Sequence, residues 1–272
     1  MEVELANGRI HSVEHGTGTP ILIMHGGGLD HRHMEDAFEP VFKGTEGWKR
    51  VYIDLPGHGA SLVNDCVVSQ DDVFGLISDF ATHAFGGRPF AVIGESRGSY
   101  HAMALAHTRP QDMLGMMLVV ADGMPGATVD WRPDHTTLVR IPETKLNSAS
   151  PEARTRFSRL VVQSSDILEK IERTKVAASK LADQGLAERL KSNFNFSFDV
   201  FEKERIFEQP CLVLNGRQDA IAGYQDMMDC LEKYPRATFA ALDCAGHSLA
   251  WEQPELFKSL TSNWLQRMKL HL

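Results

Sequence analysis

Six short apolar runs constrain this 272-residue chain more than any other feature: residues 20–25 (PILIMH), 50–54 (RVYID), 89–94 (PFAVIG), 114–120 (LGMMLVV), 210–215 (PCLVLN) and 237–242 (ATFAAL). Each is bounded by Gly, Pro, Asp or Asn. Runs this short and continuous fit strands buried on both faces, as in a parallel sheet. Stretches long enough for a helix follow at 70–86, 97–109, 221–234 and 250–270. Repeated strand-then-helix order predicts an α/β fold with a mostly parallel sheet. Residues 2–15 read as an antiparallel hairpin at the sheet edge.

One segment breaks the rhythm. Residues 122–205 hold no strand-like run, and a structureless loop of that length is implausible in a compact domain. Apolar residues recur at near-helical spacing from Phe157 to Leu181, and the segment closes with FNFSFDVF at 194–201. We expect a helical insertion at 122–205 within a core of 1–121 and 206–272.

The composition, 43% hydrophobic and 24% charged, is that of an ordinary globular chain. A net charge of −8 argues against a phosphate-binding basic footprint, hence against nucleic acid, and is compatible with a monomer. No run approaches the roughly 20 apolar residues of a membrane span, and MEVELANGRI does not read as a signal peptide. The four scattered cysteines, with no C-x-x-C pair, fit reduced thiols in a cytoplasmic protein.

The chemistry concentrates where the runs end. Gly94-Glu95-Ser96-Arg97-Gly98 joins the run at 89–94 to a helical pattern. Gly-x-Ser-x-Gly at a strand-to-helix junction is the pattern of a nucleophile elbow, whose turn is too tight for side chains at the flanking positions. The competing reading is a Gly-rich turn with a helix-capping serine. A serine nucleophile needs a base. Among 12 histidines, His247 in Ala245-Gly246-His247-Ser248 lies just past the last run, where a loop can aim an imidazole at the elbow. His58, in a Pro-Gly-His-Gly turn, reads as structural. The base needs a carboxylate, and Asp219 follows the run at 210–215; Asp122, Asp226 and Asp243 compete. The three glycines of His25-Gly26-Gly27-Gly28 let backbone N–H groups approach a ligand. We expect the Gly27 and Arg97 N–H groups to form an oxyanion hole, with Gly28 as a substitute donor.

HGGG, DLPGHGAS, GESRG, GRQD and AGH, in that order, resemble the α/β-hydrolase superfamily from about residue 10 to the end, outside the insertion. The resemblance implies an eight-stranded, mostly parallel sheet flanked by helices, with a helical cap inserted after strand six. It carries the serine, acid and base onto Ser96, Asp219 and His247, and the oxyanion donors onto Gly27 and Arg97. Asp54–Gly59 looks like the family's structural turn. Two positions depart from it: Arg97, where many relatives carry an apolar or aromatic residue, and Ser99, where a second Gly is common.

Together these features favour acyl transfer by a serine hydrolase acting on a small or medium carboxylic ester, with no cofactor. A carbon–carbon bond hydrolase, with Arg97, Arg132 or Arg140 as candidate carboxylate holders, stays open, as do a lactonase and an aminopeptidase of the same fold. A non-catalytic ligand-binding form of the fold is the alternative from another class. Candidate substrate contacts are Gly28, Trp131 and Phe194. Phe194, Phe196, Phe198 and Phe201 fit either an acyl pocket or cap-to-core packing, and Met124 and Trp131 invite the same two readings. His31-Arg32-His33 places two histidines close together, but the sequence names no further metal ligand, and no metal site is expected.

Overall fold

The structure, a computed structural model, describes residues 1–121 and 131–270. The chain opens with β1 (Glu2–Leu5), β2 (Gly8–His15) and β3 (Thr19–Met24), then α1 (His31–Phe42), β4 (Trp48–Ile53), the two-residue β5 (Leu62–Val63) and α2 (Gln70–Phe85). It continues with β6 (Phe90–Glu95), α3 (Arg97–Thr108) and β7 (Met113–Val119). The long connection holds α4 (Pro151–Phe157), α5 (Ser165–Lys170), a π-helical stretch Ile171–Val176, α6 (Ala177–Ser179) and α7 (Gln184–Leu190). The chain ends with β8 (Cys211–Gly216), α8 (Gln225–Asp229), β9 (Ala237–Leu242), α9 (Leu249–Glu252) and α10 (Pro254–Lys269).

The sheet runs β1-β2-β4-β3-β6-β7-β8-β9, with β5 paired to β2 outside that path. The sheet thus has nine strands rather than the expected eight, the two-residue β5 being the addition. From β4 to β9 all pairs are parallel, while β1–β2, β2–β4 and β2–β5 are antiparallel. Every residue of β6 and β8 is buried, which explains their unbroken apolar runs. One face of the sheet packs under α2 and α3, through Ile77, Phe80, Met103 and Leu105. The other packs under α1 and α10, through Met34, Phe38, Phe257 and Trp264. Fully burying side chains of this size contributes roughly 1.5–3 kcal/mol each.

The helices differ from expectation in instructive ways. α1 lies outside the four helical stretches read from the sequence, although Met34, Ala37, Phe38 and Val41 form a buried stripe. The 221–234 stretch reduces to α8 and a 3₁₀ turn at Leu231–Lys233, after Gly223 at φ 70°. The 250–270 stretch divides at Pro254, which starts α10. The helical pattern of 151–191 is several short helices. Ser150, Ser164 and Asp183 each accept a hydrogen bond from the backbone N–H three residues on, so each starts a new helix.

From β3 the chain crosses to β4 on one side, and from β6 to β7 on the other. The crevice between the carboxyl ends of β3 and β6 is therefore a topological switch point, where open α/β sheets bind ligands. The His25–Gly28 loop leaves β3 there, and Ser96 follows β6.

Candidate active site

Ser96 sits at φ 49°, in the left-handed region that a non-glycine residue enters at a cost. The flanking glycines explain how the turn closes. A Cβ on Gly94 would lie 2.3 Å from the Gly98 carbonyl oxygen, and one on Gly98 2.4 Å from that of Met24. The Ser96 N–H donates to the Val119 carbonyl at 2.9 Å, tying the elbow to β7. Ser96 is the N-cap of α3, yet its hydroxyl makes no capping bond, unlike a serine present to cap a helix. The Ser99 hydroxyl, at the position where relatives often have Gly, is buried and donates to the Gly94 carbonyl at 2.7 Å.

The Ser96 Oγ lies 3.1 Å from His247 Nε2, and His247 Nδ1 lies 2.9 Å from Asp219 Oδ2. Asp219 is fully buried, and its Oδ1 accepts from the backbone N–H groups of Ile221 and Ala222 at 2.8 and 3.1 Å. The carboxylate fixes the proton of His247 on Nδ1, leaving the Nε2 lone pair facing the Ser96 hydroxyl. Burial disfavours the imidazolium, but the charge and hydrogen bond of Asp219 outweigh it. The His247 pKa is therefore raised above the ordinary 6.5. Of the competing acids, Asp243 accepts from Gln218 Nε2 at 2.7 Å, Asp226 lies on α8, and Asp122 is outside the described residues.

Two histidines shape the loop after β3. His25 is buried, donates from Nδ1 to the Gly26 carbonyl at 2.7 Å and accepts the Leu55 N–H at Nε2, 2.9 Å. Burial lowers its pKa to about 3, so it is a neutral fastener. His58 Nδ1 lies 3.0 Å from the Pro56 carbonyl, and its Nε2 accepts the Gly28 N–H at 3.1 Å. Gly28 lines the cavity, but this bond takes its N–H away from the substitute-donor role. The loop lies against the elbow, since a Cβ on Gly27 would be 3.9 Å from the Arg97 Cβ.

These groups border a cavity of about 550 Å³, lined also by Leu29, Leu160, Ile171, Leu186 and Phe194. The Arg97 guanidinium lies 3.5 Å from the centre of the Phe194 ring and 5.4 Å from that of Tyr100. Phe196 and Phe201 are instead buried core residues, and Phe198 stacks on His107. Trp131, Arg132 and Arg140 are exposed and are not lining residues, and Met124 is outside the described residues.

Three features escape sequence reasoning. Glu95, within the elbow, places both oxygens on His33 Nε2 at 2.8 and 2.9 Å; burial opposes its charge, but His33 holds its pKa down to about 2. A buried acid beside a nucleophile implies a partner, yet nothing local names one 62 residues away. Glu252 accepts from the N–H groups of Val161, Val162 and Gly246, tying the inserted segment to the His247 loop. Lys175, on the π-helical stretch, is buried and lines the cavity. The two histidines of His31-Arg32-His33 diverge, because His31 bonds Asp54 at 2.7 Å. Among the described residues, the one group that could hold a metal ion is His11, His31 and Asp54.

A model of the alpha/beta hydrolase family matches residues 21–260. The chain is 22% identical to a 2-hydroxy-6-oxononadienedioate/2-hydroxy-6-oxononatrienedioate hydrolase of Burkholderia vietnamiensis, covering 95% of this chain and 91% of that one. It is 26% identical to a pimeloyl-[acyl-carrier protein] methyl ester esterase of Nitrosomonas europaea, over 92% and 97%. Among solved structures, an alpha/beta superfamily hydrolase from Oenococcus oeni superposes with a TM-score of 0.88 at 23% identity, over 99% of each chain.

Proposed function

The chain belongs to the alpha/beta hydrolase family, and on that premise we propose that it hydrolyses a small or medium carboxylic ester through an acyl-enzyme on Ser96. The observation that carries this reading is the unbroken chain Ser96 Oγ–His247 Nε2–Nδ1–Asp219. As Ser96 attacks the ester carbonyl, its proton moves to His247 Nε2, and the Asp219 carboxylate stabilises the imidazolium. The carbonyl oxygen becomes an oxyanion facing the Gly27 and Arg97 N–H groups. His247 then protonates the departing alcohol, and the acyl group stays on Ser96. Water, deprotonated by His247, attacks the acyl carbon; the acid leaves and Ser96 regains its proton. No step requires a cofactor.

We assign residues 122–205 as a cap over this site. Ile171, Lys175, Leu186 and Phe194 from that segment all line the cavity, which supports the assignment. Carbon–carbon bond hydrolysis is the second reading, favoured by the likeness to the dienedioate hydrolase. No helix among the described residues is long and apolar enough to cross a membrane.

Turnover of p-nitrophenyl esters of graded chain length, by wild type and Ser96→Ala side by side, tests the proposal. The expected result is Ser96-dependent hydrolysis with an optimum at short to medium chains. Failure of every ester, with a carbon–carbon substrate turned over instead, moves the assignment to the second reading. Failure of all substrates points to a binding protein.

A further inference from the structure

Cationic side chains outnumber carboxylates along the cavity wall, although the chain as a whole is acidic. The chain's net charge is −8, yet Arg97, Arg156, Arg159 and Lys175 line the cavity against Glu95 and Asp183. Arg156 is spent on Glu152, and Glu95 on His33. Asp183 is exposed and caps α7.

Lys175 is the unusual member. It is only 8% exposed. Its ammonium donates to Ser248 Oγ at 3.0 Å and lies 4.8 Å from the centre of the Trp251 ring. Among the described residues no carboxylate forms an ion pair with it and Ser248 Oγ is its one hydrogen-bond acceptor, although the charges of Glu95, Glu252 and Asp219 act on it at longer range. A buried ammonium in that condition is unfavourable unless something else supplies the acceptors. The π-helical stretch Ile171–Val176 holds Lys175 on the cavity wall beside Ile171, and π-helical turns often occur at functional sites. Ser248 directly follows His247, so the ammonium stands close to the reacting centre.

We propose that Lys175 receives a carboxylate carried by the substrate, with exposed Arg159 attracting the anion at the solvent side. The preferred substrates are then acidic esters, such as half-esters of short dicarboxylic acids, with a few methylenes between the carboxylate and the scissile carbonyl. Leu29, Leu160 and Leu186 suit those methylenes. This inference rests on the ester-hydrolase reading for its reaction, but the carboxylate subsite can be tested without turnover.

Monomethyl glutarate and methyl valerate share an acyl length and differ in the terminal carboxylate. Wild type should favour the acidic ester at least tenfold in kcat/KM. Lys175→Met should collapse that ratio at least tenfold, chiefly through KM, while Lys175→Arg keeps most of it. A wild type with no preference, or a Lys175→Met loss shared equally by both esters, overturns the proposal. Calorimetry of glutarate on Ser96→Ala gives the same answer without catalysis: binding should weaken at least tenfold when Lys175→Met is added, and unchanged binding overturns it. Should Lys175→Met fail to fold, competition on wild type decides. Glutarate should inhibit where pentane-1,5-diol and inorganic phosphate do not, and equal inhibition by all three overturns the carboxylate assignment. Lys175-dependent glutarate binding without turnover of any ester sustains the subsite and sinks the ester reading; turnover of neutral esters with no effect of glutarate does the reverse.

Discussion

At Ser96 a left-handed backbone, two glycines with no room for a Cβ and an uncapped hydroxyl coincide, and strain of this kind persists only where the surroundings enforce it. Ser96→Ala should abolish ester turnover while leaving the thermal melt in place. Asp219→Asn should lower kcat roughly 10³–10⁴-fold, because an amide no longer fixes the His247 proton on Nδ1; a near-wild-type rate would remove Asp219 from the triad. Catalysis needs neutral His247, and Asp219 raises its pKa. The kcat/KM profile should therefore rise with pH through a midpoint above 6.5, and a midpoint below 6.5 would contradict this electrostatic account. Ser96, Asp219 and His247 are legible in the sequence because each lies within five residues of the end of an apolar run. Lys175 is not, because its direction depends on a π-helical turn and on Ser248, 73 residues away.

The elements that carry the site meet at a single carboxylate. Glu252, on α9, accepts two N–H bonds from the inserted segment and one from Gly246, next to His247. Glu252→Ala orphans three N–H groups at once, and should destabilise the protein by roughly 2–5 kcal/mol, read as a lower urea midpoint. Glu252→Gln, which keeps one carbonyl oxygen, should recover part of that loss; a midpoint unchanged in Glu252→Ala would show that the link carries no stability. The central strands β3, β6, β7 and β8 are legible because burial on both faces leaves an unbroken apolar run, whereas the edge strand β9 is apolar yet only half-buried. The helices are less legible. α1 hides behind a glycine-rich loop and Pro40, and the caps at Ser150, Ser164 and Asp183 divide a pattern whose spacing suggested longer helices.

Across the whole molecule, the sheet's switch point brings together loops from β3, β6, β8 and β9, and the acidic chain closes around a cavity edged with cations. The same burial sets an acid limit on stability. Desolvation lowers the pKa of His25, His33, His58, His101 and His107, with His25 and His101 reaching about 3, while His31 and His247 are raised. The unfolded chain takes up protons below about 6.5, where the folded His25 and His101 do not. Stability is therefore lost as pH falls from 6.5 towards 3, by about 1.4 kcal/mol per unit for each such histidine. Glu95 adds to the loss only below its unfolded value of 4.5. The urea midpoint should accordingly fall between pH 7 and pH 5, and a flat midpoint would contradict the neutral-histidine assignment. The most direct test of the central claim, that Ser96 is the activated nucleophile, is labelling with a fluorophosphonate followed by peptide mass mapping. One adduct is expected, on Ser96, absent from Ser96→Ala and formed far more slowly in His247→Ala. No adduct, an adduct elsewhere, or labelling indifferent to His247 would contradict it.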